Sequence, residues 1–231
     1  MSVHPAWRLF IPAALFVVLA GTPRNPVEGV VAGPQPLLSP TEEAPPDVPL
    51  DELVHDLSVP VDPATPPPLT VIEFSDFGCP YCGTFENGTL PALRKEFVET
   101  GRVRWRFVPF VLGVFPNGAE AMRAATCVAE QDPDASFWKM HDALFQNQDV
   151  WKGARDPDQF FRSYAVTAGV DGDAFSACYD DARSSDRVTA ANALAGRAGV
   201  RSTPTFFVGR QMVQGALPIE EFRKVLNGAL R

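Results

Sequence analysis

Residues 69–82, LTVIEFSDFGCPYC, decide how this chain folds. Leu69–Phe74 is a β-branched and apolar run of strand length, and from Gly88 to Thr100 a helical period runs through Leu90, Leu93, Phe97 and Val98. The two cysteines between them therefore sit where a strand hands over to a helix. Cys79 is placed at the N-cap, with Pro80 at the first helical position, where a missing N–H costs nothing. The helix dipole and the amides of Tyr81 and Cys82 then stabilise a negative sulfur and pull Cys79 below the free-thiol pKa of about 8.5. Cys79 reads as the nucleophile and leaving group. Cys82, one turn further in, is expected to be more buried and less acidic, and to attack a mixed disulfide and release the partner. That step needs a proton transfer. Glu73, six residues before Cys79 near the end of an otherwise apolar strand, is the candidate relay. Strand alternation puts it on one face with Val71 and Ser75, which leaves a solvent-facing acid on an edge strand as the competing reading.

Four cysteines make three pairings: Cys79, Cys82, Cys127 and Cys178. The spacing Cys79-Pro80-Tyr81-Cys82 closes a small, exchangeable ring, which leaves Cys127 and Cys178 for one another. A bridge across that loop of about 50 residues stabilises by roughly 4 kcal/mol in the chain-entropy model. Two other readings stay open. Cys79 to Gly83 is also a good zinc knuckle, although a second close pair of ligands is missing, with Cys127, Cys178, His4, His55 and His141 scattered. All four cysteines also suit a set of inert staples.

The chain has 231 residues, 45% of them hydrophobic, enough for one large domain or two small ones and too apolar for wholesale disorder. The net charge of −8 argues against nucleic acid as a partner, but it is not spread evenly. Residues 21–68 hold 13 of the 23 prolines and a charge of −7, whereas 69–231 carry only −2. So dense a proline run forms neither a helix nor a central strand, so 21–68 reads as an extended, acidic, disordered linker. Within it, Leu50, Leu53, Val54 and Leu57 follow helical spacing, as a short docking helix or a transient turn. Ahead of it, residues 9–20 (LFIPAALFVVLA) follow Trp7 and Arg8 and end on a small-residue cleavage pattern at Val18 and Ala20. This fits a signal peptide. Twelve residues are short of the roughly 20 a membrane span wants, so an N-terminal anchor at 1–20 is the weaker alternative. Export in turn favours paired cysteines.

Val71 to Cys82 resembles the active-site segment of the DsbA-like branch of thioredoxin-fold thiol:disulfide oxidoreductases. Thr203-Pro204-Thr205-Phe206, after Gly199-Val200, is similar to that family's cis-proline loop. The resemblance runs from about Leu69 to Arg231. It implies an α/β, thioredoxin-like fold with a helical insertion at about 117–199, between the CxxC helix and the cis-Pro strand. The helical segments expected there are Ala119–Gln131, Ala135–Gln146, Asp158–Ala168, Asp173–Asp181 and Ser185–Ala198, followed by a hairpin around Gly209-Arg210 and a closing helix from Pro218 to Leu230. Phe137 to Asp142, with Leu144-Phe145, resembles a helix recurrent in that branch, and His141 on its apolar side reads as packed rather than catalytic. Cys127 and Cys178 fall on separate helices of the insertion as its staple.

By the same resemblance, Cys79, Cys82, Glu73 and Pro204 carry the chemistry, and Thr203 and Pro204 face the cysteines and receive an extended client segment. Pro204 also denies the cysteines to stray metal ions, and Phe77 and Tyr81 supply an apolar client patch. The competing reading of Pro204 is an ordinary trans proline opening a strand. The implied protein is bacterial and exported to the periplasm or the cell-envelope exterior, secreted or anchored. It oxidises reduced unfolded clients without metal or organic cofactor and is reoxidised by a quinone-linked membrane partner. Pro80-Tyr81 departs from the Pro-His dipeptide of the best-known oxidants, and leaves the potential open between about −120 and −270 mV. An isomerase or a pathway-specific reductase remains an alternative, as does a thioredoxin-fold binding or chaperone module with structural cysteines.

Overall fold

The apolar run at Leu69–Ser75 forms a central strand of a six-stranded sheet. The computed structural model describes residues 42–43, 59–61, 69–181 and 184–231. Strands β1 (Glu42–Glu43), β2 (Val59–Val61), β3 (Leu69–Ser75), β4 (Val103–Pro109), β5 (Thr205–Val208) and β6 (Gln211–Gln214) lie in the order β1-β6-β5-β3-β4-β2. β3 runs parallel to β4 and antiparallel to β5, so Glu73 faces Phe107 on one side and Phe206 on the other in the register. The edge-strand reading of Glu73 is thereby corrected.

The linker expectation is corrected at two points. Residues 42–43 pair with β6 and residues 59–61 pair with β4, so pieces of the Pro-rich stretch close both edges of the sheet. Both occupy edges, the positions that proline tolerates, and one of them contains Pro60 itself. The apolar run at 9–20 and the helical spacing at Leu50–Leu57 lie outside the described residues. No described helix is long and apolar enough to cross a membrane.

After β3 the chain enters α1 (Pro80–Thr84), a π turn (Phe85–Thr89), α2 (Leu90–Leu93) and a second π turn (Arg94–Val98). Pro91 removes a donor from the helical ladder, so the expected helix runs on without a break but with wider π turns on either side of Leu90–Leu93. Among the described residues six helices separate β4 from β5: α3 (Gly118–Gln131), α4 (Ala135–Gln146), α5 (Gln148–Lys152), α6 (Asp158–Ala168), α7 (Gly172–Asp180) and α8 (Ser184–Arg197). They form the insertion, and Cys127 of α3 is bridged to Cys178 of α7 with Cα atoms 5.8 Å apart. α9 (Ile219–Ala229) closes the chain.

Three apolar clusters result. Val71, Phe85, Leu93, Trp105, Phe206 and Phe222 fill one face of the sheet, and Ile72, Phe74, Val108, Leu194 and Phe207 fill the other. The third, inside the insertion, reaches Cys79 and Cys82 through Phe77, Phe107 and Phe145. The active-site helix therefore lies where sheet and insertion meet.

Candidate active site

The strand-to-helix junction is built by Asp76 and Gly78. Asp76 Oδ1 accepts from the Gly78 N–H and Oδ2 from the Leu112 N–H, both at 2.8 Å, tying the loop to the chain after β4. A Cβ on Gly78 would stand 2.5 Å from Phe115 Cβ and 3.3 Å from Asp76 Oδ1, so only glycine fits there. Burial pushes the Asp76 carboxyl up despite those two amides.

Cys79 is the N-cap of α1, in extended backbone with Pro80 next to it, as the sequence implied. The residue is 2% exposed, and its thiol donates to the Thr203 carbonyl oxygen at 3.5 Å. Its pKa falls from 9.0 to about 6, first because the Cys82 thiol hydrogen-bonds to the Cys79 sulfur. Burial opposes the shift, whereas the Thr203 side chain and the N–H groups of Cys82 and Tyr81 add to it. Cys82 is fully buried and pushed well above the ordinary thiol range, by desolvation first and by Cys79 second. The Ser75 side chain and the Asp76 backbone face its sulfur and offset part of that rise. One sulfur is set up to be anionic at neutral pH and its neighbour to be protonated.

The Thr203–Pro204 peptide bond is cis and both residues are buried, with the Thr203 carbonyl meeting the Cys79 sulfur. Tyr81 is 43% exposed beside them. Phe77 is not a surface residue, which corrects its expected place in a client patch: it is fully buried and packs on Phe107, Phe145 and His141. The insertion covers it.

Glu73 is fully buried, and its Oε2 accepts from Trp105 Nε1 at 2.8 Å. Two further side chains here escaped the sequence reading. Gln148 of α5 donates from Nε2 to the carbonyls of Phe77 and Cys79, at 2.6 and 2.9 Å, and so holds the first turn of the active-site helix from the insertion side. Glu86, buried one turn after Cys82, lies beside Glu73 and 3.4 Å from His141 Nε2. Its only signal in the sequence is its position four residues after Cys82, which also suits a solvated helix face. His141 is buried in a ring cluster that includes Trp138, in keeping with a packed residue. Among the described residues no three His, Cys, Asp or Glu side chains are placed to hold a metal ion.

A thiolate-forming cysteine over a buried partner thiol, faced by a cis-proline loop, defines a thioredoxin-fold dithiol site. The chain belongs to the thioredoxin family, whose model Thioredoxin_4 matches residues 64–228. Among curated relatives, disulfide bond formation protein D of Bacillus subtilis is 26% identical over 168 residues, 71% of this chain and 73% of that protein. The Na(+)/H(+) antiporter NhaA 3 of Salinispora tropica is 36% identical over 187 residues, but this chain spans only 27% of its length. The fold is that of DsbA-like structures. Oxidised BdbD from Bacillus subtilis superposes with a TM-score of 0.68 at 22% identity, covering 76% of this chain and 94% of that one. Alpha-DsbA1 from Wolbachia pipientis gives 0.63 at 21%, covering 75% and 90%.

Proposed function

We propose that the chain is an exported thiol:disulfide oxidoreductase that donates a Cys79–Cys82 disulfide to reduced client proteins. The observation that carries this reading is the placement of the two sulfurs: Cys79 caps the active-site helix against the Thr203 carbonyl, and Cys82 is fully buried one turn behind it, which lowers the first thiol and raises the second. A client thiolate attacks Cys79 Sγ, the Cys79–Cys82 bond breaks, and Cys82 leaves with the electron pair. Cys82 then takes up a proton, because burial disfavours its thiolate. A second client thiolate attacks the client sulfur of the mixed disulfide and expels Cys79, which stays anionic at neutral pH. The client has lost two electrons and the cysteine pair has gained them.

In this direction Cys82 is a leaving group. It resolves the mixed disulfide only in the reverse sense, when an abortive client is released. Glu73 moves the proton along the strand face it shares with Ser75, whose side chain lies against the Cys82 sulfur. The Thr203 backbone beside Cys79 receives the client as an added extended strand, and Tyr81 offers it an apolar contact. Quinone-linked reoxidation at the membrane returns the pair to the disulfide outside the cytoplasm, where such bonds persist.

Equilibrating the pair against glutathione tests the direction. A potential toward the oxidant end, about −120 mV, supports donation, and one near the thioredoxin value of about −270 mV contradicts it in favour of a reductase.

A further inference from the structure

Behind the cysteines three ionisable side chains meet in the core: Glu73, Glu86 and His141, exposed by 0, 6 and 1%. Glu73 Oε1, both Glu86 oxygens and His141 Nε2 are buried without a hydrogen-bond partner. Two buried carboxyls side by side cannot both ionise at ordinary pH, because neither charge is solvated and each opposes the other. A proton held between them supplies the missing donor. Burial and the adjacent Glu73 push the Glu86 carboxyl well above the usual carboxylate range, so the proton resides there.

The same group reaches toward the surface. Glu86 Oε2 lies 3.4 Å from His141 Nε2, and His141 Nδ1 lies 2.9 Å from Asp142 Oδ1. The Asp142 side chain is 46% exposed and, with Glu86 and Arg94, lines a cavity of about 380 Å³. Arg94 Nη1 stands 4.0 Å from Asp142 Oδ2 and its guanidinium lies over the Trp138 ring. Against the desolvation of its carboxyl, the His141 hydrogen bond and Arg94 hold Asp142 below its ordinary value. Burial keeps the imidazole neutral despite Asp142 and Glu73, so it carries one proton and one open lone pair. A neutral imidazole with a carboxyl group at each nitrogen passes a proton by taking one on one side and giving one on the other.

We propose that Glu86, His141 and Asp142 form a proton conduit joining Glu73, and through it Cys82, to the surface cavity at Arg94. The inference rests on the thiol-exchange reading above and explains how that chemistry proceeds while a client covers Cys79. When Cys82 leaves as a thiolate, the proton held on Glu86 passes to Glu73 and from Glu73 to Cys82. In the oxidised protein His141 holds its one proton on Nε2; it gives that proton to Glu86 while Nδ1 takes one from solvent by way of Asp142, which leaves the Nδ1 proton facing Asp142 in the reduced protein. One proton enters per disulfide opened, no electrons move along the chain of groups, and reoxidation runs it backwards. Glu86, His141 and Asp142 act through Glu73 and touch neither sulfur, so they are positioning residues for the proton.

The test is the single-turnover reduction of the oxidised full chain by a reduced model peptide, followed across pH 5–9 in H₂O and D₂O. Asp142→Asn and His141→Gln are compared with wild type. Asp142 is half-exposed, so its Asn variant keeps the fold, and thermal melting checks the Gln variant. The conduit predicts that both variants slow Cys82 release by about tenfold at pH 7, with a larger solvent isotope effect. It also predicts that added imidazole restores the rate of Asp142→Asn through the open cavity. Variants with wild-type rates, pH profiles and isotope effects, alongside an active wild type, overturn the conduit and leave the exchange function standing. A wild type that opens no disulfide overturns both.

Discussion

The Cys79 thiol donates to the carbonyl oxygen of Thr203 at 3.5 Å, joining two residues 124 positions apart. The contact places the reactive sulfur against the backbone that is proposed to receive the client. It also leaves the Cys79 sulfur open to the Cys82 thiol and to the amides at the start of α1, which together set its acidity.

Alkylation of the reduced protein follows directly. Cys79 is predicted to react with iodoacetamide along a titration curve with its midpoint near pH 6, and Cys82 to stay unmodified in the folded chain. Cys82→Ala removes the leading cause of the shift, so the midpoint moves up toward the ordinary thiol value. Mass spectrometry of samples quenched at each pH gives both curves, and an unchanged midpoint in Cys82→Ala rejects this assignment of the cause.

Glu86 makes stability depend on pH in the opposite sense to an ion-paired acid. Its folded pKa is raised, so between the unfolded value of about 4.3 and the folded value the native state binds more protons than the unfolded one. Stability is then fully present below about 4.3 and declines as pH rises through the folded value. Glu86→Gln lacks this loss. Urea denaturation of the oxidised proteins, in which Cys79 does not titrate, should show the variant gaining on wild type as pH rises above about 4.5 and the gain levelling off above the folded value. A constant difference would remove the raised carboxyl from the account.

Gln148 is expected to matter for the architecture of the site. Gln148→Leu takes the side-chain donor from the buried Phe77 carbonyl and leaves the Cys79 carbonyl with the Gly83 N–H alone, at a cost of about 1–3 kcal/mol. The same variant should raise the reactivity of the site to non-specific alkylation as the first helical turn loosens. Chemical denaturation measures the first effect and timed labelling the second.

Phe77 and Tyr81, paired in the sequence reading, should separate in experiment. Phe77→Ala opens a cavity among Phe107, Phe145 and His141 and is predicted to cost about 3–5 kcal/mol of stability. Tyr81→Ala is predicted to leave stability within about 0.5 kcal/mol and to weaken client capture. Melting curves with a peptide-oxidation assay on both variants distinguish the two roles.

The contrast shows what the sequence carried. The ends of α4 and α6 were readable because Asp-Pro and glycine punctuate strong apolar periods, and the Cys79 N-cap was readable because Pro80 marks the first turn. The burial of Phe77, Glu86 and Gln148 depends on the insertion folding back over the active-site helix, a contact between residues 55 to 71 positions apart that no local pattern encodes. α5 is five residues long and shows no period. The edge strands at 42–43 and 59–61 were hidden by proline density, which speaks against central strands and is silent about edges.

The central claim is that the Cys79–Cys82 pair passes its disulfide to a client, and one measurement tests it most directly. The oxidised protein is mixed with a reduced, unfolded protein bearing two cysteines, and free thiols in both partners are counted over time. One client disulfide should form for each Cys79–Cys82 disulfide lost, and Cys79→Ser should form none. Client oxidation at the wild-type rate by Cys79→Ser would contradict the account.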